Sequence, residues 1–247
     1  MSDKLIAIAI NLQKQHYPNA DVIFLAGSVI RGEETATSDL DIVVIFKQLP
    51  AAYRESFRFE SWPIETFVHD PATLRYFFVE ADRPTGVPSL AAMVSEGIEI
   101  PQPSELSREL KQLANDVLAA GPPVWDKDAI DRSRYAITEL IDDIRSPRSR
   151  AELLASGTQL YDAVVEHYLR SRNLWSAKGK SIPRRLRKVA PQFAAQFEES
   201  FAALFIDGKT EKLIELVENM LKPDGGWLFE GYKLIAPVDW RKKCDFL

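Results

Sequence analysis

Residues 27–44, "GSVIRGEETATSDLDIVV", set a Gly-Ser pair directly after the apolar run "VIFLA" and an Asp-x-Asp directly before a second apolar run. In an extended strand, residues two apart point to the same side, so Asp39 and Asp41 project together while Leu40 turns into the core. Two carboxylates held side by side repel unless a cation lies between them. A hard cation such as Mg²⁺, which takes carboxylate oxygens together with phosphate oxygens, meets that need. Gly27 at a strand end lets backbone approach a ligand closely, and the turn at Ser28 offers N–H groups and a hydroxyl to phosphate. The chain contains no G-x-x-x-x-G-K-[ST], and no G-x-G-x-x-G follows a strand, so the P-loop and Rossmann solutions to phosphate binding lack their signatures.

Outward from this stretch the pattern is mixed α and β. "SDKLIAIAINLQKQHYP" has helical spacing, a serine able to cap it and a proline to end it. "DVIFLAGS" and "DLDIVVIF" have strand length and β-branched content. "FRFESWPIETFVHD" predicts a hairpin with Trp62-Pro63 at a bend or edge. "TLRYFFVEA" and "SLAAMVSEG" read as helices, "GIEIP" as a short edge strand and "SELSRELKQLANDVLAAGPP" as a further helix. Beyond "AAGPPVWDKD", where a glycine and two prolines interrupt, helical periods dominate and predict a bundle of about four helices. One of these is the continuous stretch "IPRRLRKVAPQFAAQFEESFAALF". The expected fold is α+β: a catalytic domain over 1–127 with a mixed β-sheet flanked by helices, then a helical domain over 128–247.

A chain of 247 residues with 46% hydrophobic and 27% charged content is an ordinary globular composition. Its apolar runs are too short to span a membrane, and "MSDKLIAIAI" lacks a secretion-signal layout, so a cytoplasmic protein is expected. The single cysteine, Cys244, excludes an internal disulfide and a cysteine-rich zinc site, and is read as a bystander thiol. A net charge of −5 argues against a surface that grips nucleic acid. The charge is uneven, however. Residues 170–188 hold eight Lys and Arg and no acid, leaving −13 on the rest of the chain, so a local anion site is possible there.

The order G-S, R-G, S-D-L-D opening a strand resembles the nucleotidyltransferase superfamily that includes DNA polymerase beta. Gly27, Ser28, Arg31, Gly32, Ser38, Asp39 and Asp41 fill the pattern G-S-x-x-R-G-x-x-x-x-x-S-D-x-D of its small bacterial members. The resemblance implies a third carboxylate on a later strand, and "WPIETFVHD" supplies Glu65 in the right order. That segment is similar to the corresponding strand of aminoglycoside nucleotidyltransferases acting on streptomycin and spectinomycin, which makes Glu65 the implied base or a further metal ligand. Those enzymes also append a helical domain whose lysine contacts the triphosphate, for which Lys180, with Arg184 beside it, is the nearest match. The implied reaction is Mg²⁺-dependent transfer, with two ions, of AMP from ATP to a hydroxyl of a small, aminoglycoside-like acceptor. The nucleotide-binding set is Gly27, Ser28, Arg31, Ser38, Lys180 and Arg184; the metal set is Asp39, Asp41 and Glu65.

Each residue also has a plainer reading. An isolated Asp is most often a cap or a strand-edge charge, Glu65 an exposed strand charge, and the 170–188 run a solvated face. Arg31 contacts phosphate or, preferably, pairs with an acid and braces the loop. The His69-Asp70 pair is a turn more readily than a site lining, and His16 and His167 are surface or packing residues. Tyr161, Tyr168 and Trp175, at i, i+7 and i+14, are a core-facing helix stripe. Competing functions are a nucleotide-binding regulatory or antitoxin-type module and an enzyme that adenylylates a protein.

Overall fold

The computed structural model describes residues 3–241; Ser2, expected to cap the first helix, and Cys244 lie outside the described residues. The chain divides into two compact units, Met1–Pro123 and Val124–Leu247.

In the first unit, α1 (Asp3–His16) buries Leu5, Ile8, Ala9 and Leu12, one stripe at helical spacing. It leads into β1 (Val22–Ala26), a 3₁₀ turn over Ser28–Arg31, β2 (Leu40–Ile45), β3 (Tyr53–Phe59) and β4 (Trp62–His69). Then come α2 (Pro71–Tyr76), a π-helical turn over Phe77–Asp82, α3 (Arg83–Thr85), α4 (Ser89–Glu96), β5 (Ile98–Ile100) and α5 (Glu105–Ala120). The strands form one sheet in the order β3-β4-β2-β1-β5. Only β2 and β4 run parallel; β1 pairs antiparallel with β2 and β5, and β3 with β4. The expected mixed sheet flanked by helices is therefore present.

Both faces of the sheet are covered at β1 and β2, which is why β1 and the β2 core read as unbroken apolar runs rather than alternating ones. Ile23, Leu25, Ile42 and Val44 pack with α1 in one cluster. Phe24, Val43 and Ile45 pack with Leu74, Phe78, Leu90, Val94 and Leu110 in another.

The hairpin turn is not at Trp62-Pro63. It is at Glu60-Ser61, with φ of 46° and 71°, while Trp62 pairs with Phe59 and Pro63 with Arg58 inside the ladder. This two-residue turn, with positive φ at both central residues, matches the twist of the flanking strands, and proline cannot adopt that φ. The "TLRYFFVEA" helix is also not uniform, since it widens into the π-helical turn after Tyr76.

Asp70 caps α2, accepting from the Thr73 backbone N–H at 2.8 Å while its own N–H donates to Thr73 Oγ1 at 3.0 Å. The Thr73 and Leu49 N–H donors hold the Asp70 carboxyl below the usual range. The neighbouring His69 is buried, meets Phe77 edge-on at 4.9 Å, and has no hydrogen-bond partner for Nδ1. Burial pushes its pKa down to about 4. As pH falls, the unfolded chain therefore takes up this proton before the folded one does. Stability from His69 is complete above the unfolded pKa and is lost as pH drops toward 4. Urea titrations at pH 7 and pH 5 should show wild type losing roughly 2 kcal/mol more than His69→Leu over that interval.

The described residues of the second unit form five α-helices: α6 (Lys127–Arg145), α7 (Arg150–Arg170), α8 (Ser181–Val189), α9 (Pro191–Ala202) and α10 (Glu211–Leu221). The count exceeds four because the stretch expected as one helix from Ile182 breaks between Ala190 and Pro191. Ala190 takes φ −151° and ψ 64°, as a residue preceding proline is pushed out of the helical region. Tyr161 packs on Phe197 and Phe201 at 4.7 and 4.9 Å, and Tyr168 stacks on Phe193 at 3.7 Å. Tyr161 and Tyr168 thus face the bundle core, whereas Trp175, though buried, lies beyond the end of α7 and is not part of a helix stripe. His167 is fully buried and links Ser133 and Asp224, each at 3.0 Å. Buried Arg134 holds the carbonyls of Gly225 and Gly226 at 2.7 and 2.8 Å.

Candidate functional site

The site stands at the end of the sheet where β1 stops and β2 and β4 begin. Register fixes it: Ala26 pairs with Asp41, and Asp41 pairs in parallel with Glu65. Residues paired across a ladder share a face, so Asp41 and Glu65 point the same way, and Asp39, two residues earlier, joins them. One carboxylate oxygen from each of Asp39, Asp41 and Glu65 lies within 4.8 Å of the other two, and all three residues are half-buried. Three mutually repelling carboxylates at this spacing are a hard, all-oxygen donor set of the kind that Mg²⁺ or Mn²⁺ takes.

Gly27 is shaped by this cluster. Its φ of 81° and ψ of −161° lie in a region essentially reserved for glycine. A Cβ there would sit 2.0 Å from Asp41 Oδ2. The absent side chain is thus what gives the Asp41 carboxylate its place. Gly27→Ala is expected to displace that carboxylate, weaken divalent-cation binding at the cluster and cost roughly 1–3 kcal/mol from the backbone alone; calorimetric titration with Mn²⁺, together with thermal unfolding, checks both.

Ser28 opens the 3₁₀ turn, and its hydroxyl lies 3.4 Å from Ser38 Oγ. Ser38 Oγ accepts from the Thr35 N–H at 2.9 Å, closing the loop that delivers Asp39. Arg31 pairs with Glu33 and Glu96, each at 3.1 Å, the bracing arrangement. Its guanidinium remains reliably charged because burial, which disfavours the charge, is outweighed by these two carboxylates.

Glu65 has neighbours that the sequence reading overlooked. Arg54 on β3 donates to Glu65 Oε1 and lies over the Phe67 ring at 5.0 Å; Ser56 Oγ is 3.4 Å from the same oxygen. The alternation in "YRESFRF" was the available signal, since it puts Arg54, Ser56 and Arg58 on one face.

Lys180 and Arg184 belong to the second unit. Lys180 is exposed immediately before α8, and Arg184 is half-buried within it. Neighbouring Arg185 is turned inward, with Nε on the Trp175 carbonyl at 3.0 Å, and Arg187 is paired with Glu198. Much of the basic run is therefore engaged by neighbouring groups of its own unit.

Residues 8–81 match the family described as "Nucleotidyltransferase domain". The matched segment contains β1 to β4, the Gly27-Ser28 turn and all three carboxylates, and it supports nucleotidyl transfer as the class of chemistry. No curated protein matches the chain. Among solved structures, a nucleotidyltransferase-like protein from Exiguobacterium sibiricum 255-15 is similar at 15% identity and a TM-score of 0.43, over 89% of this chain and 74% of that one. Among the described residues, no helix is long and apolar enough to cross a membrane.

Proposed function

We propose that the chain is a divalent-metal-dependent nucleotidyltransferase that moves AMP from ATP to a hydroxyl of a small molecule. The observation that carries this reading is the convergence of Asp39, Asp41 and Glu65 within 4.8 Å beside a Gly27 at which a Cβ would sit 2.0 Å from Asp41 Oδ2. Two Mg²⁺ ions held by Asp39, Asp41 and Glu65 would neutralise the triphosphate and polarise its α-phosphorus. The Gly27 backbone and the Ser28 hydroxyl bind the outer phosphates, and Ser38 and Arg31 keep the intervening loop in shape.

Glu65 takes the proton from the acceptor hydroxyl. The acceptor oxygen forms a bond to the α-phosphorus as the bond to the bridging oxygen breaks, and pyrophosphate leaves with that electron pair. Lys180 and Arg184 are assigned to the departing pyrophosphate. On this reading the segment 1–127 is the catalytic part. The acidic net charge supports a small acceptor over a nucleic acid.

Incubation with labelled ATP, Mg²⁺ and a panel of hydroxyl-bearing metabolites and antibiotics tests the proposal. The expected result is pyrophosphate release matched one for one by labelled acceptor. Tight ATP binding without turnover on any acceptor would instead favour a nucleotide-binding regulatory module.

A further inference from the structure

Sheet order distributes the site's components in space. Gly27 and Ser28 follow β1, Asp39 and Asp41 belong to β2, Glu65 to β4, and beyond Glu65 comes only β3. Transfer to phosphorus requires the entering and leaving oxygens to be roughly in line. With the outer phosphates at the β1 end, the acceptor enters from the β3 side. This rests on the nucleotidyl-transfer reading given above.

The chemistry β3 presents there is specific. Ser56 pairs with Glu65, Arg54 with Phe67 and Arg58 with Pro63, so Arg54, Ser56 and Arg58 share the face that carries the carboxylates. All three are exposed. The acid of β3, Glu55, is on the opposite face, accepting from Tyr17 Oη at 2.6 Å. Arg54 gives one N–H to Glu65, yet its side chain is 61% exposed, which leaves donors of its five-N–H fork facing outward. Arg58 spends one contact on the Ser61 carbonyl at 3.2 Å.

We infer that Arg54, Ser56 and Arg58 form the acceptor subsite, and that the acceptor is a small hydroxyl compound carrying a phosphate or carboxylate group. Two guanidiniums flanking a hydroxyl match such an anion in charge and in donor geometry. A polycationic amino sugar would meet two like charges at the same place. The subsite thus selects against the acceptor class that the aminoglycoside resemblance implies.

The test uses the full chain saturated with Mg²⁺ and a non-hydrolysable ATP analogue. Calorimetric titrations are made with three probes on one ring: glucose 6-phosphate, glucose and glucosamine. The expected order is phosphate ester at least ten-fold tighter than glucose, with glucosamine weakest. In the Arg54→Gln/Arg58→Gln double variant the preference collapses, and in Arg54→Lys it survives in part. The inference is overturned if glucosamine binds as tightly as the phosphate ester, if no probe binds, or if the double variant retains the preference. The last outcome would place the phosphate elsewhere, such as on the basic run of the second unit. Failure of the ATP analogue to bind in the Mg²⁺ saturation step would overturn the nucleotidyl-transfer reading as well. Normal analogue binding with the wrong probe order would overturn the acceptor assignment alone.

Discussion

Asp41→Asn is expected to weaken Mg²⁺-dependent nucleotide binding by more than roughly 100-fold, because even residues that merely orient metal ligands contribute about 10–100-fold. The substitution is nearly isosteric. It keeps an oxygen beside Gly27 and leaves the β1–β2 and β2–β4 ladders untouched, so the circular dichroism spectrum should not change. What is lost is charge. A neutral amide oxygen is a poor ligand for a hard dication, and Asp39 and Glu65 alone do not complete the donor set. Calorimetric titration of ATP with and without Mg²⁺ distinguishes the outcomes. Equal Mg²⁺ dependence in wild type and variant would remove Asp41 from any metal role.

Glu65→Gln should behave differently. Of the three carboxylates, Glu65 is nearest the β3 side, where the acceptor is expected, and its Oε1 already receives Arg54 and Ser56. A glutamine keeps an acceptor for both donors but cannot take a proton. Turnover should fall by roughly 10²–10⁴-fold, the usual contribution of general-base catalysis, while nucleotide affinity falls less than in Asp41→Asn, because both aspartates remain to hold a metal ion. Steady-state pyrophosphate release gives the first quantity and equilibrium titration the second. A loss of nucleotide binding as large as that of Asp41→Asn would make metal binding the main role of Glu65, and full activity would require another base.

Much of the site was legible because its parts are close in sequence. Gly27, Ser28, Asp39 and Asp41 occupy one turn and two strand ends, so alternation alone puts both aspartates on one side. Glu65 was reached through the family resemblance, which implies a third carboxylate on a later strand; the parallel β2–β4 register then sets it opposite Asp41. Arg54 and Ser56 went unnoticed for a related reason. Their meaning depends on the antiparallel register of β3 on β4, which is fixed by the Glu60-Ser61 turn rather than by the proline that drew attention. In the second unit, apolar spacing identified the helices and the core-facing Tyr161 and Tyr168, but the helix stops at Arg170 before Trp175, and a proline within a helical period divided another helix into two. The His167 link to Ser133 and Asp224 joins residues 34 and 57 positions apart. Nothing local in the sequence announces such a contact, because it arises from packing between elements.

The most direct test of the central claim, that Asp39, Asp41 and Glu65 are a divalent-metal site serving a nucleotide, is an Mn²⁺ titration followed by electron paramagnetic resonance with a non-hydrolysable ATP analogue present. Wild type should bind two Mn²⁺ ions per chain, and the Asp41→Asn variant should lose that binding. Equal Mn²⁺ binding by both proteins, or none by wild type, would contradict it.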